Sequence, residues 1–113
     1  RERGVLELVR DRSGWGSPPP EGSARGVAVH KSFGTTVAMT CEVAVGAGAV
    51  RVRRVVAAVD CGVAINPDVI RAQIEGGVGF GLGAALSSEL TLTGGVVDQT
   101  NYDGFQILRM EDM

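Results

Sequence analysis

Asp60-Cys61-Gly62-Val63-Ala64-Ile65-Asn66-Pro67-Asp68-Val69-Ile70-Arg71-Ala72-Gln73-Ile74-Glu75-Gly76-Gly77-Val78-Gly79-Phe80-Gly81-Leu82-Gly83-Ala84-Ala85-Leu86-Ser87-Ser88-Glu89-Leu90 decides how this chain folds. It reads as the end of a strand, a turn and a long helix. Ile70, Ile74, Val78, Leu82, Leu86 and Leu90 recur at every fourth position, and each step drifts about 40° around a helix, so the apolar ridge winds over much of the girth. That pattern predicts a buried helix. Beside the ridge run the rows Gln73, Gly77, Gly81, Ala85 and Arg71, Glu75, Gly79, Gly83, nearly bare of side chains. Each helical glycine costs roughly 1 kcal/mol against alanine, so close packing onto this bare backbone is expected to compensate.

Three occupants of such a groove are compatible with the residues. A neighbouring helix or sheet backbone is the plain one. A cofactor lying against the groove, with Gln73 at its head, is the second. The third is a dinucleotide, because Gly79-Phe80-Gly81-Leu82-Gly83-Ala84 fits the Gly-x-Gly-x-x-Gly/Ala fingerprint and Asp98 follows at nearly the expected separation. That fingerprint belongs where a strand turns into a helix. Here the ridge runs through the glycines without a break, so a continuous helix from Asn66 would count against it.

Upstream of the helix the start signals are explicit. Asn66 suits the N-cap because its amide oxygen can accept a free first-turn N–H, and Pro67 at the first helical position lacks the donor that would otherwise go unpaired. Asp68 places negative charge where the helix dipole favours it. Asp60, at the strand end, is expected to cap the adjacent turn. Glu75 is read as a helix-start residue or an ion-pair partner of Arg71, and not as a base.

From Gly26 to Val45 the period is two, with Val37, Met39, Cys41 and Val43 on one face and Thr36, Thr40 and Glu42 on the other, which predicts two strands meeting at a turn or a kink at Gly34. Gly46-Ala47-Gly48-Ala49 is a hairpin signal leading to a third strand, Val50 to Asp60. The alternation breaks at Arg53-Arg54 and gives way to five apolar residues, which predicts a bulge near Arg53. Arg51, Arg53 and Arg54 are read as a solvated face. Leu90 to Asp98 predicts a small hairpin turning at Gly94-Gly95, and Gln99 to Met113 an extended tail.

The first twenty-three residues hold a short amphipathic helix, Glu2 to Arg12, with Val5, Leu6, Leu8 and Val9 on its apolar side, followed by a connector stiffened by Pro18, Pro19 and Pro20. Trp15 is expected to anchor that connector. The fold class is therefore α+β: an antiparallel sheet with one long glycine-rich helix packed across one face, Val37, Met39, Cys41 and Val43 meeting Ile70, Ile74, Val78 or Leu82. Residues 1–23 are read as helix and connector, and 24–113 as part of one domain.

Composition narrows the partners. With 113 residues, a formal charge of −2 and one histidine, His30, the chain has neither the basic surface for nucleic acid or anionic lipid nor a multi-histidine metal site. No uninterrupted apolar run has the length of a bilayer crossing, so no membrane insertion is expected. Cys41 and Cys61 lie outside any Cys-x-x-Cys pattern and are read as buried strand residues. The chain opens on Arg1, which suggests a processed or excised segment.

Asp60-Cys61-Gly62, Ile65-Asn66-Pro67, Gln73-x-Glu75-Gly76, Gly81-Leu82-Gly83 and Glu89-Leu90, in this order and spacing, resemble the last third of the large subunit of the molybdenum hydroxylases, the xanthine oxidase and aldehyde oxidase enzymes. Arg25-Gly26-Val27-Ala28, Ser32-Phe33-Gly34-Thr35, Asn101-Tyr102 and Leu108-Arg109-Met110 look most like the branch of the isoquinoline 1-oxidoreductase beta subunit. The resemblance implies hydroxylation of N-heterocycles or aldehydes with water as oxygen source. It implies molybdopterin, in dinucleotide form, as cofactor, with Gln73 hydrogen-bonded to the pterin and Gly76 and Gly77 beside it. Phe80 stands where a second glutamine often stands in relatives. The implied partners are the remainder of the large subunit, an iron–sulfur small subunit and a small-molecule substrate, in a bacterial-type soluble protein of the cytoplasm or periplasm. The family's proton-abstracting glutamate lies in a Gly-x-Gly-Glu motif that these residues do not contain. The isolated chain is therefore expected to hold no cofactor and to be inactive, with no catalytic residue and no metal ligand of its own. The remaining alternatives are a stand-alone dinucleotide-binding module and a structural interaction domain.

Overall fold

The computed structural model describes residues 1–112; Met113, the end of the expected extended tail, lies outside the described residues. The chain forms two compact units, Arg1–Ile65 and Asn66–Met113 by their bounds. Together they contain a three-stranded antiparallel sheet, two α-helices and a small hairpin, an α+β fold.

In the first unit helix α1 spans Glu2–Ser13 and the sheet runs β1 (Ser23–Ser32), β2 (Thr35–Gly46), β3 (Ala49–Asp60) in spatial order β1-β2-β3. Both connections are two-residue turns with positive φ at both positions: Phe33 and Gly34 at 47° and 81°, Ala47 and Gly48 at 52° and 76°. That is the mirror-image turn whose twist matches the strands, so Gly34 makes a tight turn and not a kink. The β2–β3 register passes from Glu42 opposite Arg54 to Val43 opposite Val52, leaving Arg53 as the extra residue of the expected bulge.

α1 covers the face of the sheet formed by Thr36, Ala38 and Thr40. Val5 and Val9 pack on Ala38 and Ala58, all buried, with Leu6 and Val56 at the margin. Small side chains here let the helix axis approach the sheet. Both ends of α1 are tied down. At its start Arg1 pairs with Asp60 at 3.3 Å and donates to the Gly34 carbonyl at 2.7 Å, while Lys31 faces Glu2 at 3.5 Å. At its end Gly14 adopts the left-handed cap at φ 70°, and Arg54 donates to the carbonyls of Arg12 and Ser13. Arg54 is thus a helix cap, a correction to its reading as part of a solvated face. Arg25 donates to Glu42 and to the Gly14 and Ser17 carbonyls, fastening the connector to the sheet.

In the second unit α2 spans Pro67–Leu86 without interruption, followed by the hairpin β4 (Leu92–Thr93) and β5 (Val96–Val97) turning at Gly94-Gly95, and a 3-10 turn at Met110–Asp112. Asn66 accepts from the N–H groups of Asp68 and Val69, each at 3.1 Å, as its residue type predicts. The expectation of a buried helix is corrected. Only Gly83 is buried in α2; Ile70, Ile74, Val78 and Leu82 are half-buried, and Leu86 and Leu90 are exposed. Among the described residues, no helix is long and apolar enough to cross a membrane.

Candidate functional site

α2 sets the geometry. Gln73, Gly76 and Gly77 stand at i, i+3 and i+4, so they share one face one turn apart. All three are exposed, and a Cβ built at Gly76 or Gly77 meets no atom within 4 Å. The face is open backbone headed by an amide.

Within the second unit, no described residue closes on Gly76 or Gly77. Gly81 is equally unobstructed, and at Gly83 a built Cβ would meet Leu108 Cβ at 3.6 Å, an ordinary contact. Leu108 thus stands against Gly83, while Gly76, Gly77 and Gly81 face open space.

Where Leu108 comes in, the second unit forms a groove of about 650 Å³. Gly76, Gly79, Phe80 and Gly83 make its floor, and Phe105, Ile107 and Leu108 make its wall. Gly76 alone of the three predicted site residues lines it. Gln73 and Gly77 lie off the groove. The wall segment is brought in from more than twenty positions away, a placement no local periodicity signals.

The dinucleotide alternative is overturned by the same helix. Gly79, Gly81 and Gly83 sit inside α2, whose N–H groups are consumed by its own ladder; the fingerprint requires them at a strand-to-helix turn where those donors are free. Arg71 and Glu75 form no ion pair among the described residues, which corrects that reading as well.

The other singled-out residues are structural. Asp60 Oδ1 accepts from the Gly62 N–H at 3.1 Å and Oδ2 pairs with Arg1, so this acid caps its turn and anchors α1. His30 is exposed on β1. Trp15 borders a small cleft with Leu6, Val9 and Val27, where the connector meets the core. Cys41 lies on β2, half-buried, and burial pushes its thiol pKa up. Cys61 is half-buried too but follows β3, a correction to its reading as a strand residue; both are free thiols.

The family profile described as molybdopterin cofactor-binding domain matches residues 11–113. The isoquinoline 1-oxidoreductase subunit beta of Brevundimonas diminuta is 31% identical over 118 aligned positions, covering 100% of this chain and 15% of that protein. The chain thus spans a small part of the length of that relative. With the profile running over nearly all of it and this relative aligned over its whole length, the chain belongs to the molybdopterin cofactor-binding domain family of the molybdenum hydroxylases.

Proposed function

We propose that this chain is the cofactor-supporting part of a molybdenum hydroxylase large subunit, in an enzyme that hydroxylates N-heterocycles or aldehydes with water as oxygen source. The observation that carries the proposal is the open α2 face, where an exposed glutamine heads two glycines that no described residue of the second unit covers. These residues fit a molybdopterin. A side-chain amide offers one acceptor and two donor hydrogens, which matches the mixed edge of a pterin. Gly76 and Gly77 let a flat group reach the helix backbone without meeting a side chain.

When bound, the molybdenum cofactor supplies the two-electron chemistry. The chain's own part is to bind and orient: Gln73 fixes the pterin edge, and the glycines set how near it lies. Dinucleotide attachment, an iron–sulfur small subunit and a small-molecule substrate belong to the same proposal. The apolar girth that α2 leaves exposed, Phe80 above all, fits a helix that meets the remainder of a longer subunit.

The test is the full-length subunit carrying Gln73→Ala, assayed for molybdenum by elemental analysis and for pterin by fluorescence after oxidation. Occupancy should fall severalfold while the subunit stays folded by circular dichroism. The isolated chain should carry neither, since one amide supplies only a few of the hydrogen bonds a large anion needs, each about 0.5 to 1.5 kcal/mol net. Unchanged occupancy in the mutant would remove Gln73 from the site.

A further inference from the structure

Asp103 is the one aspartate of this chain that a glycine follows, and no asparagine stands before a glycine. The pairing matters because a side-chain carboxyl can be attacked by the main-chain nitrogen of the next residue, and glycine alone leaves that nitrogen without a neighbouring Cβ. Here the two groups are already in contact. Asp103 Oδ1 accepts from the Gly104 N–H at 2.9 Å, and both residues are exposed, so the carboxyl carbon lies beside the nitrogen and water reaches them. Asn101 makes the same contact with the Tyr102 N–H at 2.8 Å, but there a tyrosine side chain stands next to the nitrogen.

The pair sits inside a closed turn. The N–H groups of Gly104 and Phe105 both donate to the Asn101 carbonyl, each at 3.1 Å, and the turn they close leads directly into Phe105, Ile107 and Leu108, the wall of the groove on α2. The closure depends on the number of main-chain atoms between Asn101 and Phe105.

We propose that Asp103-Gly104 is a site of spontaneous covalent modification, converting to isoaspartate through a cyclic imide, and that the conversion releases the wall of the groove. The Gly104 nitrogen forms a bond to the Asp103 carboxyl carbon, the C–O bond of the protonated carboxyl breaks, and its hydroxyl leaves with the amide proton as water. Water then opens the imide. Attack at the former side-chain carbonyl restores aspartate. Attack at the main-chain carbonyl turns that carbonyl into a free carboxylate and leaves the chain running through the former side chain, one carbon longer. Mass is unchanged and no reactant besides water is consumed. The added carbon falls between Asn101 and Phe105, so the hydrogen bonds that close the turn lose their spacing. The inference stands apart from the cofactor reading, because it needs neither Gln73 nor a pterin.

The test is incubation of the 113-residue chain for weeks at neutral pH and physiological temperature, followed by mass spectrometry of the tryptic peptide from Ala72 to Arg109. A second form of equal mass should accumulate, with electron-transfer fragmentation placing the isoaspartyl linkage at Asp103. Gly104→Ala is accommodated, since a Cβ there meets no atom closer than 3.8 Å and the residue lies outside the left-handed region; it should slow the conversion severalfold. Asp103→Asn should speed it severalfold, because ammonia then leaves in place of water. In the modified form the Phe105 amide should exchange its hydrogen faster than in the fresh chain. Absence of the second form overturns the proposal, as do equal rates in the wild type and Gly104→Ala. Unchanged exchange at Phe105 overturns the release of the wall.

Discussion

Arg25 Nε donates to Glu42 Oε2 at 2.7 Å from the neighbouring strand, with the two side chains 15% and 14% exposed. Across the other strand pair Glu42 stands opposite Arg54, which holds the last carbonyls of α1. One carboxylate thus lies between two arginines that anchor the helix end and the connector. Glu42→Gln removes the charge and leaves Arg25 half-satisfied. Breaking a fully buried pair costs about 3 to 5 kcal/mol, and the residual solvent contact here lowers the expectation to about 2 to 3 kcal/mol. Urea unfolding measures it; a loss under half a kcal/mol would show the pair to be as weak as a surface bridge.

Thr36 is fully buried under α1, and its hydroxyl finds no partner among the described residues. Thr36→Val keeps the shape and removes the orphaned group. Relief of that desolvation should stabilise the chain by about 1 kcal/mol. A midpoint that moves down on denaturation would mean the hydroxyl is satisfied in solution.

What the residues announce by themselves is whatever their own neighbours enforce. The turns at Gly34 and Gly48, the Asn66-Pro67 helix start and the bulge at Arg53 are all local steric or hydrogen-bonding requirements, and all appear at those positions. The covered face of the sheet is different. Val37, Met39, Cys41 and Val43 form the stronger apolar stripe, yet α1 takes the side of Thr36, Ala38 and Thr40, because small residues allow a helix close approach and the arginines of that side reach its end. Nothing in a strand's alternation ranks its faces by how near a helix can come. The same holds for the candidate site. Gln73, Gly76 and Gly77 share a face by helical spacing alone, but the wall of the groove, Phe105 to Leu108, arrives through a tertiary fold of the tail.

Cys41 reports on the sheet's second face. Burial raises its thiol pKa, so at any pH near neutrality a smaller fraction is thiolate than for a free peptide cysteine. Its alkylation by iodoacetamide should therefore be several times slower than that of a peptide thiol at pH 8, read by mass spectrometry of the fragment containing it. Equal rates would show that this face opens readily to solvent.

The hairpin of the second unit carries a pH signature. Thr91 Oγ1 donates to Asp98 Oδ2 at 2.7 Å, and the hydrogen bonds from Thr91 and then Thr93 hold the Asp98 carboxyl below its usual range. A depressed folded pKa means the contribution is present above the ordinary carboxylate range and fades as pH falls through the folded value. Thr91→Val should shift the Asp98 titration upward, as followed by carboxyl-carbon NMR. An unmoved titration would assign the shift to another donor.

The glycines of α2 separate what the chain needs from what a cofactor needs. A Cβ at Gly77 meets nothing within 4 Å, so Gly77→Ala gains helix propensity without a clash and should stabilise α2 by up to about 1 kcal/mol. If a pterin lies against that backbone in the full-length subunit, the added methyl stands between them. Molybdenum occupancy should then fall although the isolated chain becomes more stable. Gly83→Leu is the contrast, because its side chain must displace Leu108, 3.6 Å from where the Cβ would sit, and overpacking of that kind costs about 1 to 3 kcal/mol. Thermal melts of the chain and metal content of the subunit, measured for both variants, give opposite orderings if Gly77 is reserved for a ligand. Full occupancy with Gly77→Ala would mean that this stretch of α2 is bare for some other reason.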